Sequence, residues 1–218
     1  MKALFLNGSP RKNWNTHKLL LSALHGAEDA GAETELLHLF DYEFTGCKSC
    51  FACKINNSKT NGLCAIHDKL RPILEKACAA DVLFIGSPVY FSFPTGQVRN
   101  FVERLLFPLM KYCVDENGKM IKVPHKPVKV AMIYTMNCPE NLMAEFHYTT
   151  ILEETAHNLQ AIFGNCEVLY SCDTMQFNDY SRYEVNIFSP EEKLAHRERQ
   201  FPIDLNKAYN LGKRLSQI

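Results

Sequence analysis

The chain has 218 residues, of which 24 are Lys or Arg and 24 are Asp or Glu, so its formal net charge is zero. This balance argues against a nucleic-acid-binding surface, which needs clustered positive charge, and against a basic membrane-surface segment. The length indicates one domain, and no apolar run is long enough to span a membrane. The apolar segment at the start of the chain is interrupted at Asn7, so it is shorter than the apolar region of a signal peptide. We therefore expect a cytoplasmic protein that binds neither nucleic acid nor membrane.

The predicted elements alternate between strands and helices along the chain. Strands are predicted at residues 2–6, 35–40, 80–85, 128–134 and 166–171, and helices at 16–30, 68–79, 96–106, 142–162 and 191–214. We expect Gly86-Ser87-Pro88 to end the third strand and Pro202 to interrupt the last helix. Buried strands between helices predict an α/β fold, with a flavodoxin-like doubly wound five-stranded parallel sheet and helices on both faces.

The domain organisation follows from the segments that break this alternation. Residues 1–218 form a single predicted domain with a cysteine-rich loop at 41–66. An insertion at 107–126 is predicted to be a hairpin or loop, because it contains an Asp-Glu-Asn-Gly turn. A C-terminal extension at 173–218 begins with an irregular aromatic stretch.

The loop after the first strand has the composition of a phosphate-binding site. Ligands of doubly wound sheets bind outside the carboxyl ends of the strands. Ser9, Asn15 and Thr16 offer short side-chain donors there, Arg11 and Lys12 add positive charge, and the helix start adds free N–H groups. The loop matches neither a Walker A sequence nor GxGxxG, so it favours the terminal phosphate of a mononucleotide. The alternative is an ordinary helix capped by Asn15 or Thr16.

The loop after the third strand is rich in aromatic side chains. Tyr90, Phe91 and Phe93 lie between Pro88 and Pro94. Aromatic side chains at the ligand edge can border a planar ring. Alternatively, they pack into the core or into an oligomer interface. The loop at 135–139, after the fourth strand, is a weaker candidate for the far wall of a ring site.

Three segments carry a resemblance to a known family. Residues 8–16, 87–91 and 96–105 read GSPRKNWNT, SPVYF and GQVRNFVERL. In this order they resemble the NAD(P)H-dependent FMN reductase and iron–sulfur flavoprotein group of flavodoxin-like proteins. The resemblance runs from residue 1 to residue 138.

The resemblance implies non-covalent FMN, with NAD(P)H as the co-substrate, in a homodimer or homotetramer. It assigns the FMN phosphate to Ser9, Arg11, Asn15 and Thr16, and the isoalloxazine ring to Pro88, Val89, Tyr90 and Phe91. No catalytic side chain is implied. The predicted function is an FMN-dependent oxidoreductase that takes hydride from NAD(P)H and reduces a flavin, a quinone or another small acceptor. The alternatives are an FMN electron-transfer protein, with or without an iron–sulfur cluster, and a non-enzymatic metal-binding module.

Four of the nine cysteines form a cluster in the sequence, at Cys47, Cys50, Cys53 and Cys64. In a reducing compartment such a cluster indicates metal binding or redox chemistry rather than disulfides. Iron–sulfur members of the resembling family carry a compact four-cysteine motif at the same place, but here ten residues precede the last cysteine. A [4Fe-4S] cluster, a structural zinc ion and free thiols all remain open.

The histidines show no catalytic or metal-binding pattern. His17, His25 and His38 lie in or beside predicted helix and strand, where we expect solvated or hydrogen-bonded structural side chains. His147 and His157 are ten positions apart in one helix, which does not match the i, i+4 spacing of metal ligands.

Overall fold

A computed structural model describes residues 1–217. In it, strands and helices alternate along the chain. The strands are β1 (Lys2–Asn7), β2 (Glu33–His38), β3 (Val82–Tyr90), β4 (Phe93–Pro94), β5 (Met110–Val114), β6 (Met120–Lys122), β7 (Lys129–Thr135) and β8 (Glu167–Ser171). The helices are α1 (Asn15–Asp29), α2 (Arg71–Ala79), α3 (Gly96–Leu109), α4 (Tyr148–Phe163) and α5 (Pro190–Leu215).

The central sheet has the order β2-β1-β3-β7-β8, and its neighbouring strands pair in parallel. This order confirms the predicted flavodoxin-like doubly wound sheet. The short strand β4 folds back antiparallel on the end of β3. Because the five long strands run in one direction, the loops that follow them gather at a single edge.

The two faces of the sheet bury alternate residues of each strand, as the pleat requires. Leu4 and Leu6 belong to the core that the sheet forms with α2, α3 and α4. Ala3 and Phe5 belong to the opposite core, which α1 and α5 cover. Sheet burial on both faces explains why β1 reads as a continuous apolar run.

The third strand continues past the point where its sequence predicts an end. The prediction that Gly86-Ser87-Pro88 ends it is wrong, because β3 runs to Tyr90 and pairs with β7 up to Pro88. Gly86 has a packing role instead. A Cβ there would lie 2.6 Å from Cδ1 of Leu20, so the missing side chain allows α1 to approach the sheet.

The predicted start of α4 and the predicted interruption of α5 are also wrong. Helix α4 begins at Tyr148 rather than at residue 142, because Glu140–Leu142 forms a separate 3-10 turn. Helix α5 continues through Pro202, since Phe201 and Asp204 on either side of it are both buried against the body of the domain. The insertion at 107–126 contains the antiparallel hairpin of β5 and β6. Within residues 1–217, no helix is both long and apolar enough to cross a membrane.

Candidate functional site

The loop after β1 is held in a compact form by backbone and side-chain hydrogen bonds. The N–H of Gly8 donates to Gly86 O at 2.8 Å, and a Cβ on Gly8 would lie 2.1 Å from Cγ2 of Val98. Ser9 N donates to Asn7 Oδ1 at 3.0 Å, and Ser9 Oγ accepts from Arg11 N at 3.1 Å. Because Ser9 Oγ acts there as an acceptor, its hydroxyl hydrogen is free to donate to a ligand oxygen.

The start of α1 leaves its first N–H groups available. Trp14 occupies the N-cap position and makes no side-chain capping bond, so the alternative that Asn15 or Thr16 caps the helix is wrong. Thr16 Oγ1 instead lies 2.8 Å from Thr135 Oγ1, which joins α1 to the end of β7. Free N–H groups at the positive end of a helix dipole favour an anion.

A C-terminal segment, residues 174–176, lies over this loop. Met175 O accepts from Trp14 Nε1 at 3.1 Å and from Asn15 Nδ2 at 2.9 Å. Gln176 O accepts from the guanidinium of Arg11. Two of the four side chains predicted to hold a phosphate, Arg11 and Asn15, therefore contact this segment. Their role toward a phosphate stays a prediction, as does that of Ser9 and Thr16.

Arg197 on α5 brings a positive charge to the same place, and sequence reasoning missed it. Its Nη1 donates to Asn15 Oδ1 at 2.6 Å, and its guanidinium carbon lies 4.1 Å from the centre of the Phe201 ring. Burial lowers the pKa of Arg197, but an arginine stays charged at neutral pH. A partly buried cation whose contacts are to neutral groups favours a bound anion nearby.

The aromatic loop after β3 is a tight hairpin with an exposed tip. Phe91 and Ser92 have φ values of 48° and 71°, a left-handed backbone that is uncommon for residues other than glycine. Phe91 is 98% exposed, so the alternative that it packs into the core is wrong. Tyr90 and Phe93 are about half exposed. The placement of Pro88, Val89, Tyr90 and Phe91 around a flavin ring stays a prediction.

Thr95 connects the aromatic hairpin to the loop after β1. Its Oγ1 donates to Gly8 O at 2.8 Å, and its N–H donates to Ser87 Oγ at 3.0 Å. It is also the N-cap of α3. A threonine immediately before a predicted helix is an N-cap signal, but the contact with Gly8 has no signal in the sequence.

Several buried polar atoms at this edge have no partner within residues 1–217. They are Nδ1 of His17, Oε1 of Gln97 and Oδ1 of Asn137, and they belong to the segments that follow β1, β3 and β7. A buried polar group without a partner is costly. The donors at this edge that suit a phosphate are the free N–H groups of α1, the Ser9 hydroxyl and the Arg197 guanidinium.

The cysteine loop is ordered by a buried arginine on α3. Arg104 is 1% exposed, and it forms a bidentate ion pair with Asp68 at 2.5 Å and 2.9 Å. It also donates to Thr45 O at 3.1 Å, to Ile66 O at 3.2 Å and to Cys64 Sγ at 3.3 Å. One side chain thus holds both ends of the loop. Sequence reasoning assigned it no role.

The clustered cysteines differ in environment. Cys47 and Cys50 are exposed, Cys53 is half-buried and Cys64 is buried. Burial raises the pKa of the Cys53 thiol. In the part of the chain that the structure describes, no three His, Cys, Asp or Glu side chains are placed to hold a metal ion. The iron–sulfur and zinc predictions therefore rest on the cysteine spacing rather than on an assembled ligand set.

Comparisons with known proteins identify a family and several relatives. A family described as NADPH-dependent FMN reductase matches residues 1–139. An iron–sulfur flavoprotein of Archaeoglobus fulgidus is 41% identical over 104 residues, which is 48% of each chain. One of Methanocaldococcus jannaschii is 38% identical over 104 residues, covering 48% of this chain and 51% of the relative. The chain thus spans about half the length of the curated relatives it matches.

Solved structures share the fold. The NAD(P)H:quinone oxidoreductase from Methanothermobacter marburgensis superposes with a TM-score of 0.70 over 99% of this chain and 98% of its own, at 13% identity. An FMN-dependent NADH-azoreductase from Bacillus anthracis, solved in complex with FMN, gives a TM-score of 0.66 over the full length of both chains, at 11% identity. At these identities the likeness shows the fold alone.

Proposed function

Because this chain belongs to the NADPH-dependent FMN reductase family, we propose that it is an FMN-dependent oxidoreductase. It would take hydride from NADH or NADPH and reduce a flavin, a quinone or another small acceptor. The observation that carries the proposal is the start of α1, where the uncapped helix, the free hydroxyl hydrogen of Ser9 and the Arg197 guanidinium offer donors to a phosphate.

When bound, FMN supplies the ring that accepts hydride and passes on electrons, so the protein needs no catalytic side chain of its own. The role of the chain is to bind and orient. Ser9, Arg11, Asn15, Thr16 and the first N–H groups of α1 would hold the phosphate, and Pro88, Val89, Tyr90 and Phe91 would border the ring from the end of β3. The exposed side chains of Tyr90 and Phe91 would contact the nicotinamide or the acceptor.

The phosphate assignment predicts a selective loss of affinity. The double substitution Ser9→Ala, Thr16→Ala should weaken FMN binding about 100-fold, because each hydroxyl donates to a charged group. Riboflavin, which lacks the phosphate, should bind both proteins equally, as measured by quenching of flavin fluorescence. Thr150→Ala, an exposed hydroxyl on α4, serves as the control. Unchanged FMN affinity in the double variant would refute the assignment.

An electron-transfer protein with both FMN and an iron–sulfur cluster is the second candidate. The spacing of Cys47, Cys50, Cys53 and Cys64 supports it, and so does the similarity to iron–sulfur flavoproteins. This candidate expects about four iron atoms per chain after anaerobic purification. Cys47→Ser and Cys50→Ser should each abolish the iron, whereas Cys78→Ser, outside the loop, should retain it. Rapid bleaching of the flavin by NAD(P)H in iron-free protein would favour the reductase instead.

A homodimer or homotetramer is also proposed. The β5–β6 hairpin supports it, because Tyr112 and Val114 are 67% and 63% exposed. Apolar side chains exposed together on a hairpin are typical of an interface between subunits. Light scattering of the purified protein tests this assembly.

A further inference from the structure

His38 lies beside the loop after β1 although it belongs to another strand. It ends β2, and it is the registered partner of Asn7, the last residue of β1. His38 Nδ1 lies 2.9 Å from Asn7 Nδ2, and Asn7 is fully buried. The ring of His17 on α1 stacks against it, with the two ring centres 5.3 Å apart.

The two hydrogen bonds of Asn7 determine which tautomer His38 adopts. A backbone N–H can only donate, so the Asn7 atom that accepts from Ser9 N at 3.0 Å must be the carbonyl oxygen. The other end of the amide is then the NH2 group, which can only donate. His38 Nδ1 must therefore carry a lone pair. The ring is neutral, with its hydrogen on Nε2.

We infer that His38 is a positioning residue for the phosphate site, because its neutral Nδ1 holds the Asn7 amide in the orientation that accepts from Ser9 N. Ser9 Oγ in turn accepts from Arg11 N, so the bonds run from β2 into the loop that faces the start of α1. This inference rests on the proposed function only where it concerns FMN. The hydrogen-bond order itself concerns this chain alone.

Protonation of His38 would break this order. A hydrogen on Nδ1 would face the NH2 group of Asn7, and relief by an amide flip would turn that NH2 group toward Ser9 N–H. In either arrangement two donors meet. Acid conditions should therefore loosen the loop at Ser9 and weaken phosphate binding.

The groups around His38 determine the pH range of this effect. Burial lowers the pKa of His38 below 6.5, the Asp41 carboxylate raises it and the Lys12 ammonium lowers it, with a net lowering. Burial and the neighbouring His38 lower the pKa of His17 as well. Since the folded protein favours the neutral ring, the bond is intact above pH 6.5 and is lost as the pH falls through the lowered folded value.

The test compares FMN affinity at about pH 7.5 and about pH 5.5 in wild type, His38→Asn and His25→Asn. Asparagine places a non-titrating oxygen near the position of Nδ1, while His25 is an exposed histidine on α1 and serves as the control. The phosphate of FMN also changes charge in this range, and that contribution is common to all three proteins. Because one protonation with a midpoint below pH 6.5 weakens affinity by less than about tenfold at pH 5.5, we expect the acid-induced loss to be smaller in His38→Asn than in the other two, by less than about tenfold. Equal losses in all three proteins would overturn the inference.

A second measurement needs no FMN. Nuclear magnetic resonance of the protein labelled at all its nitrogens should show His38 with its hydrogen on Nε2 at neutral pH. The Ser9 amide signal should shift with the same midpoint as the His38 ring, and this shift should be absent in His38→Asn. A hydrogen on Nδ1 of His38 would overturn the inference, as would a Ser9 amide signal that does not change while His38 titrates. Wild-type protein that fails to bind FMN at neutral pH would instead refute the proposed function and leave this result standing.

Discussion

Replacing Arg104 with Met is expected to lower the free energy of unfolding by about 3 kcal/mol, because the Asp68 carboxylate loses the cation that balances its charge. The Arg104 side chain is 0% exposed and that of Asp68 is 23% exposed, so water can replace only part of the lost contact. Three further acceptors, Thr45 O, Ile66 O and Cys64 Sγ, lose a donor at the same time. Urea unfolding measures the change.

The matched control for this substitution is Arg214→Met. Arg214 also forms a bidentate pair, with Glu167, but the two side chains are 58% and 43% exposed. An exposed pair of this kind should contribute less than about 1 kcal/mol. Arg104→Met should also make the buried Cys64 thiol reactive toward a thiol reagent, whereas Arg214→Met should not. Equal destabilisation by the two variants would contradict the assigned role of Arg104.

The effect of Arg104→Met should depend on pH. Burial by itself would raise the pKa of Asp68, but the hydrogen bonds and charge of Arg104 outweigh it, and the pKa is lowered overall. A carboxyl with a lowered folded pKa contributes stability above its unfolded value of about 4, and this contribution is lost as the pH falls through the folded value. The difference between wild type and variant should thus be constant above about pH 5 and shrink in stronger acid.

Gly212→Ala is expected to destabilise the protein by about 3 kcal/mol, since α5 crosses α1 with backbone against backbone. A Cβ on Gly212 would lie 1.8 Å from Ala23 O, and one on Gly26 would lie 2.0 Å from Tyr209 O. Backbone atoms inside helices cannot move aside locally, so the helices must separate. The melting temperature should fall by roughly 6–12 °C.

Gly96→Ala is the control for this substitution. A Cβ on Gly96 would meet no heavy atom within 4 Å, and the residue lies in the first turn of α3. Alanine favours helix more than glycine does, so this variant should be neutral or more stable by up to about 1 kcal/mol. A Gly212→Ala protein as stable as Gly96→Ala would show that α1 and α5 are not in close contact.

The helices and strands could be predicted because their signals are local. The apolar run of β1 reflects a strand buried on both faces. The helical spacing of Leu20, Ala23 and Leu24 reflects the one face of α1 that is buried. The errors arose where pairing or packing outweighed a local signal. Gly86 and Pro88 look like a strand end, but β7 pairs alongside them, and Pro202 looks like a helix break, but burial on both sides keeps α5 continuous.

The candidate site was predictable in part for the same reason. Loops that follow parallel strands must meet at one edge, so the sequence places Ser9, Thr16 and the aromatic hairpin together. The exposure of the hairpin tip could not be predicted, because nothing in the sequence indicates that Phe91 lies exposed on a left-handed turn. Exposure depends on what other segments cover, which a single loop does not record.

The sequence by itself determined the order of elements, the edge at which we predict that ligands bind and the residue types available there. The tertiary structure alone decided which side chains meet. Arg197 contacts Asn15 across 182 positions, Arg104 contacts Asp68 across 36, and His38 contacts Asn7 across 31. Hydrophobic periodicity records only whether a residue faces the core or solvent. A polar contact between distant segments depends on strand order, register and helix packing together, and these are set by the whole fold.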